Sequence, residues 1–227
     1  MSLTVVKHEG IAFVAVDNPP VNALNLELRQ AMLRAVSDID KDSEVLGVVL
    51  HCTGRTFIAG ADIAEFARPP VAPHLPEVVK AIEQSNKPWI AAIHGRALGG
   101  GLEVSLACHY RVAMENSLLG LPEVTLGIIP GSGGTVRLPR LIGLEPAITM
   151  VTTGVPISAS EALDQGLIDD VVPVRADSTD DETIKHAATL FFNKTVKHGE
   201  HQICSTECIA IQSEPPRIVV AINANSC

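Results

Sequence analysis

Apolar and polar positions along the chain follow two alternating rhythms. Short runs rich in β-branched residues and closed by turn formers predict strands: IAFVAVD (11–17), stopped by Asn18-Pro19-Pro20, then VLGVVLH (45–51), PWIAAIH (88–94), HYRVAM (109–114) and LIDDVVP (167–173). Between them the period lengthens to that of a helix. From Asn25 to Asp40, Leu28, Met32, Val36 and Ile39 recur on one stripe, with Glu27, Arg29, Arg34 and Asp38 on other faces. Further helices are expected over 76–85, 101–108, a stretch ending near Gly143, 145–153, and one opened by the capping-box pair Ser158 and Glu161. Strand, tight turn and helix thus alternate, which predicts either a parallel α/β architecture or a stacked coil of ββα turns. After Ala176 polarity rises and the period fades, apart from a possible helix over 181–192, and the apolar run of EPPRIVVAINANSC (214–227) has no partner signal.

Composition narrows the class. A chain of 227 residues, 46% hydrophobic and 19% charged, is long enough for a core and too apolar for disorder, so one globular domain is expected. Residues 1–175 read as the core and 176–227 as a partly helical C-terminal segment. No run reaches a membrane span, and MSLTVVKHEG lacks the pattern of a secretory signal, so a cytoplasmic protein is expected. The formal charge of -9 comes without a Lys/Arg block, which argues against nucleic acid. Five irregularly spaced cysteines fit a reducing compartment. His198, His201, Cys204 and Cys208 have zinc-binding chemistry without a finger spacing, and no metal is expected.

The candidate chemistry lies in ALGGGLE (97–103). Gly99, Gly100 and Gly101 lack a Cβ, so a ligand can approach the backbone, and a helix starting there presents unpaired N–H groups to an oxygen gaining negative charge. Tight helix packing explains a glycine cluster equally well. Glu103 follows among Leu102, Val104 and Leu106, and Glu123 repeats the anomaly within LLGLPEVTLGIIPG (118–131). Isolated acids in apolar stretches need a partner or a task, and two of them can converge on one water, one accepting a proton and the other supplying it. A cap or a surface ion pair is the commoner fate of a glutamate. Phosphate-loop and dinucleotide fingerprints are absent, and Ser132 of PGSGG is not in a nucleophile elbow.

GRTFIAGADI (54–63), KPWIAAIHGRALGGGLEVSLACHYRVA (87–113) and GLPEVTLGIIPGSGGTVRLPRLIG (120–143) resemble the enoyl-CoA hydratase/isomerase, or crotonase, family. The wording is nearest to the N-terminal part of multifunctional fatty-acid oxidation enzymes, and the likeness runs over about 8–175. The resemblance implies a spiral of ββα units, an acyl-CoA thioester substrate and an oxyanion hole of two main-chain N–H groups, on Ala61 and Gly100. It places the two hydratase acids on Glu103 and Glu123, with Asp62, Ile63, Gly99 and Gly131 at the substrate site, Asp62 bracing the loop and Gly131 and Gly133 shaping the wall. Relatives that only move a double bond often keep just the acid matching Glu123, so hydration of a trans-2-enoyl-CoA to a 3-hydroxyacyl-CoA is implied. Isomerisation of a 3-enoyl ester and a non-catalytic CoA-ester-binding module are the alternatives. No cofactor is implied, since coenzyme A is part of the substrate, and a homo-oligomer, a trimer or dimer of trimers, is expected. The segment 64–76 stands where relatives carry a variable acyl-site loop. The likeness fades near 175, where relatives continue into helices that cover the acyl pocket, so the C-terminal helical region is expected to be truncated or atypical.

Overall fold

A computed structural model describes residues 2–67, 69–175 and 178–196. Its framework is a six-stranded sheet in the order β1-β2-β3-β4-β6-β9. The strands are β1 (Ser2–His8), β2 (Ile11–Asp17), β3 (Gly47–Cys52), β4 (Trp89–Ile93), β6 (Tyr110–Met114) and β9 (Asp170–Val172). All neighbours are parallel except β1 and β2, which run antiparallel from Ser2↔Asp17 to His8↔Ile11. Three short strands, β5 (Arg96–Leu98), β7 (Leu118–Gly120) and β8 (Ile157–Ser158), form a second sheet in the order β5-β7-β8.

Helices complete the coil. They are α1 (Leu26–Lys41), α2 (Leu75–Glu83), α3 (Gly100–Ala107), α4 (Gly134–Ile142), α5 (Leu144–Thr153), α6 (Ala159–Asp164) and α7 (Asp180–Phe191). The chain twice passes from main-sheet strand to small-sheet strand to helix, through β4, β5, α3 and through β6, β7, α4. This is the spiral of ββα turns that the resemblance implied. Among the described residues no helix is long and apolar enough to cross a membrane.

Both faces of the main sheet are covered, which is why its central strands read as continuous apolar runs instead of alternating. Val48, Leu50 and Cys52 of β3 belong to the core shared with α1, α2 and α3. Val49, Ile90, Ala92, Val112 and Met114 turn the other way, toward Ile184, Ala188 and Phe192. Helix α1 starts where Asn25 Oδ1 accepts from Leu28 N at 2.9 Å, a side-chain cap for a donor without an intrahelical partner. Leu28, Met32, Val36 and Ile39 are buried as their spacing predicted, but Arg29, read as lying off the stripe, is buried too. Helix α3 is buried at all eight positions, as expected of a helix apolar on every side.

The elements that the pattern did not predict are β1 and the small sheet. Strand β1 is largely exposed at a sheet edge, so its alternation carries no core face. β5, β7 and β8 have only 3, 3 and 2 residues, too few to show a period. The possible helix over 181–192 is α7, with Thr179 and Glu182 as a capping box. His198, His201, Cys204, Cys208 and the final apolar run lie outside the described residues.

On its sheet-facing side α7 is fixed by apolar packing and by polar contacts that include His51 Nδ1 to Asp181 Oδ1 at 2.9 Å. Just beyond the helix, Phe192 is 1% exposed, and its ring occupies the space a Cβ at Gly47 would need. Replacing a fully buried aromatic by alanine removes apolar burial and leaves a cavity, at a cost of about 3–5 kcal/mol. Phe192→Ala is therefore expected to lower the free energy of unfolding by that amount, read as a lower denaturant midpoint at unchanged slope. A midpoint unchanged from the parent would show that this end of α7 adds nothing to the sheet.

Candidate active site

The triple glycine has three separate geometric reasons. Gly99 caps α3 with φ 52° and ψ -124°, a backbone that L side chains avoid, and a Cβ there would come 3.2 Å from Glu123 Oε1. A Cβ at Gly100 would lie 2.8 Å from Leu75 Cδ2 and 3.6 Å from the main-chain nitrogen of Ala61. A Cβ at Gly101 would overlap the carbonyl of Ile58. The first turn of α3 is thus pressed against 58–61, which bears out the packing explanation of the cluster, while Gly99 and Gly100 also line a cavity.

That contact sets two main-chain N–H groups side by side. Gly100 opens α3, so its N–H has no intrahelical acceptor. Ala61 forms a single parallel bridge with Leu24, in which Leu24 N donates to Gly60 O at 2.9 Å and Asp62 N to Leu24 O at 3.5 Å. The bridge uses the residues on either side of Ala61 and leaves its own N–H outside the pairing. Asp62 Oδ1 accepts from Ala64 N at 3.0 Å and braces the turn that follows.

Two acids flank this point. Glu103 sits on the first turn of α3, 2% exposed, and its Oε1 accepts from Ser132 N at 2.6 Å and Gly134 N at 2.9 Å. The PGSGG turn, read from sequence as mere turn chemistry, thereby supplies the donors that hold a buried carboxylate. Gly133 lies off the cavity wall and instead caps α4 in a left-handed conformation. Glu123 comes from the short 3₁₀ turn Pro122–Leu126 and is 9% exposed. Its Oε2 is buried without a hydrogen-bond partner. Burial, with a smaller contribution from the charge of Glu103, raises its carboxyl from the ordinary 4.5 to about 7. One acid is bonded and held, whereas the other is near the point of changing protonation at neutral pH.

All eight site residues named from the sequence, Ala61, Asp62, Ile63, Gly99, Gly100, Glu103, Glu123 and Gly131, line one cavity of about 620 Å³. Leu26, Leu75, Leu126 and Ile129 give it apolar walls. Sequence reasoning missed Arg29 and Glu65, which also line it and form an ion pair at 2.7 Å. The two stand 36 residues apart in the chain, so no local pattern joins them. Among the described residues no group of three or more His, Cys, Asp or Glu is placed to hold a metal ion. Cys108 is buried and its thiol is pushed up to about 12, which leaves it unreactive.

Comparison with known proteins agrees with this geometry. The family model described as enoyl-CoA hydratase/isomerase matches residues 6–200. The chain is 49% identical over 162 residues to the peroxisomal bifunctional enzyme of Danio rerio, a match spanning 71% of this chain and 23% of that one. It is 42% identical over 174 residues to a probable enoyl-CoA hydratase of Bacillus subtilis, covering 74% of this chain and 67% of the relative. The chain therefore spans about a quarter of the bifunctional relative. Among solved structures, the enoyl-CoA hydratase of Bacillus anthracis superposes with a TM-score of 0.78 at 36% identity, over 86% of this chain and 76% of that one. A family model covering most of the chain, with a coil of ββα turns and a glycine-capped helix beside two buried acids, shows that the chain belongs to the enoyl-CoA hydratase/isomerase family, with the crotonase fold.

Proposed function

We propose that this chain adds water across the double bond of a trans-2-enoyl-CoA to give a 3-hydroxyacyl-CoA, the hydration step of fatty-acid β-oxidation. The observation that carries this reading is the placement of two buried acids of different character, Glu103 and Glu123, on one cavity beside the N–H groups of Ala61 and Gly100. An acid pair suits addition of water, since one group must take a proton and another must give one.

The thioester oxygen accepts from the N–H groups of Ala61 and Gly100, which polarise the carbonyl. Glu103 takes a proton from water, and the water oxygen forms a bond to the β carbon. The electron pair of the double bond moves toward the thioester, whose oxygen carries the resulting enolate charge. Glu123 then delivers its proton to the α carbon, leaving Glu103 protonated and Glu123 ionised until exchange with solvent restores both. Each oxyanion donor is worth about 3–4 kcal/mol, judged from other enzymes with such holes. The chemistry requires no cofactor, since coenzyme A enters as part of the substrate. The exposed Leu126, Ile129, Leu144 and Ile148 support the homo-oligomeric reading, because large apolar side chains gathered on neighbouring elements favour a covered face.

Loss of crotonyl-CoA's conjugated absorbance measures the reaction. Glu103→Gln and Glu123→Gln are each expected to lower kcat by about 10²–10⁴-fold without unfolding the chain. An unchanged absorbance with the parent protein, together with conversion of a 3-enoyl ester, would assign isomerisation instead. Retained CoA-ester binding without either reaction would assign a binding module.

The alkaline limb of the pH profile follows from Glu123. Its carboxyl is protonated below about 7 and ionised above, so kcat/KM for hydration is expected to fall as pH rises through that value. The same shift has a stability consequence of defined sign. The folded state holds the proton more tightly than the unfolded chain, so the contribution is full below pH 4.5 and lost as pH rises through about 7. Glu123→Gln should flatten the unfolding midpoint over that window, and a parent midpoint already flat there would contradict the raised value.

A further inference from the structure

One charged group in the cavity wall has no part in the chemistry above. Arg29, on the first turn of α1, has a side chain only 9% exposed and makes bonds to three segments. Its Nη1 donates to Leu24 O at 3.0 Å and to Glu65 Oε2 at 2.7 Å, and its Nε donates to Pro73 O at 2.8 Å. A longer contact joins Nη2 to Val71 O at 3.5 Å. Glu65 is engaged on its other oxygen as well, where Oε1 accepts from Leu26 N at 2.6 Å.

These acceptors share a location. Leu24 is the residue whose bridge with Ala61 fixes the first oxyanion donor, and its carbonyl is shared between Asp62 N and Arg29. Glu65 belongs to the 3₁₀ turn Ile63–Ala67 that follows the donor directly, and Glu65 N donates back to Asp62 O at 3.0 Å. Pro69, Pro70 and Val71 form part of the cavity wall, while Pro73 leads into α2 through His74. A buried guanidinium is costly to desolvate unless its donors are met, and here all three nitrogens have acceptors. Its planar fork reaches several oxygens in fixed directions, which a lysine's point charge cannot do.

We infer that Arg29 is a positioning residue: with Glu65 it fixes the Ala61 amide and ties the wall segment 69–73 to the same frame. The catalytic part of this inference rests on the hydration reading, whereas the positioning part does not. Misplacement of a reacting group by about 1 Å can cost about 10²-fold in rate, so loosening of Ala61 should be felt in kcat.

The test uses the full chain with Arg29→Gln, Arg29→Lys and Glu65→Gln, and reads amide hydrogen exchange by peptide together with kcat and KM on crotonyl-CoA. Arg29→Gln is expected to speed exchange in 59–65 and 69–75 by about ten-fold or more, with β3 and β4 exchanging as in the parent. kcat should fall by roughly 10²-fold with a smaller change in KM. Glu65→Gln should loosen the same two segments to a lesser degree. Arg29→Lys should resemble Arg29→Gln, because the ammonium keeps the charge and loses the fork. Parent-like exchange in the two segments, a rise spread over the whole chain, or recovery of parent behaviour by lysine would each overturn the inference. A parent protein inactive on enoyl esters would sink the hydration reading alone, since exchange reads the positioning directly.

Discussion

The contact between the first turn of α3 and residues 58–61 is the constraint on which the site depends. The α3 side has no room for a side chain: a Cβ on Gly101 would overlap Ile58 O, and one on Gly100 would crowd Leu75 and Leu24. This approach aligns the opening N–H of a helix with the N–H that a single β-bridge leaves unused at Ala61. Helix and bridge belong to different parts of the chain, so the paired donors exist only through tertiary packing. Apolar burial of all of α3 holds them in that arrangement.

The two acids differ in their hydrogen-bond partners, not in their sequence environment. Both stand in apolar stretches, yet Glu103 receives two main-chain donors from the turn before α4, and Glu123 has one oxygen with none. Burial without donors favours the protonated form of a carboxyl. The negative charge of Glu103 pushes Glu123 further in the same direction. Gly99 is part of this arrangement, because a side chain there would press on Glu123 Oε1.

Much of this was legible in the sequence, for identifiable reasons. The strands of the main sheet are buried on both faces, so their apolar runs stood out, and α1 declared itself through Leu28, Met32, Val36 and Ile39. GGG followed by Glu marked the turn into α3 because glycines and a buried acid are each costly without a purpose. What stayed hidden depends on distant pairing. The small sheet is built of strands too short for a period, and β1 has little burial to show. Arg29 sits next to Leu28 on α1, and only the folded chain shows that 71–73 and Glu65 close over it. The role of Ser132 was concealed similarly, since its N–H and not its hydroxyl reaches Glu103.

Arginine placement around the cavity follows from where apolar packing ends. The far side of α3 is core, but the cavity's outer walls are loops, whose carbonyls need donors once covered. Arg29 meets those of Leu24 and Pro73, and Arg137 meets that of Ser132 at 3.2 Å while gripping both oxygens of Glu83 at 2.9 and 2.7 Å. Each arginine thus joins a carboxylate on one element to a loop carbonyl near a cavity residue, Ala61 in one case and Glu103 in the other. Hydrophobic residues in the same places could fill volume, but they would leave the carbonyls unpaired and the loops without a fixed direction. A cavity that must open to a ligand cannot be held shut by its own packing, so directional bonds to its rim take over where the core stops.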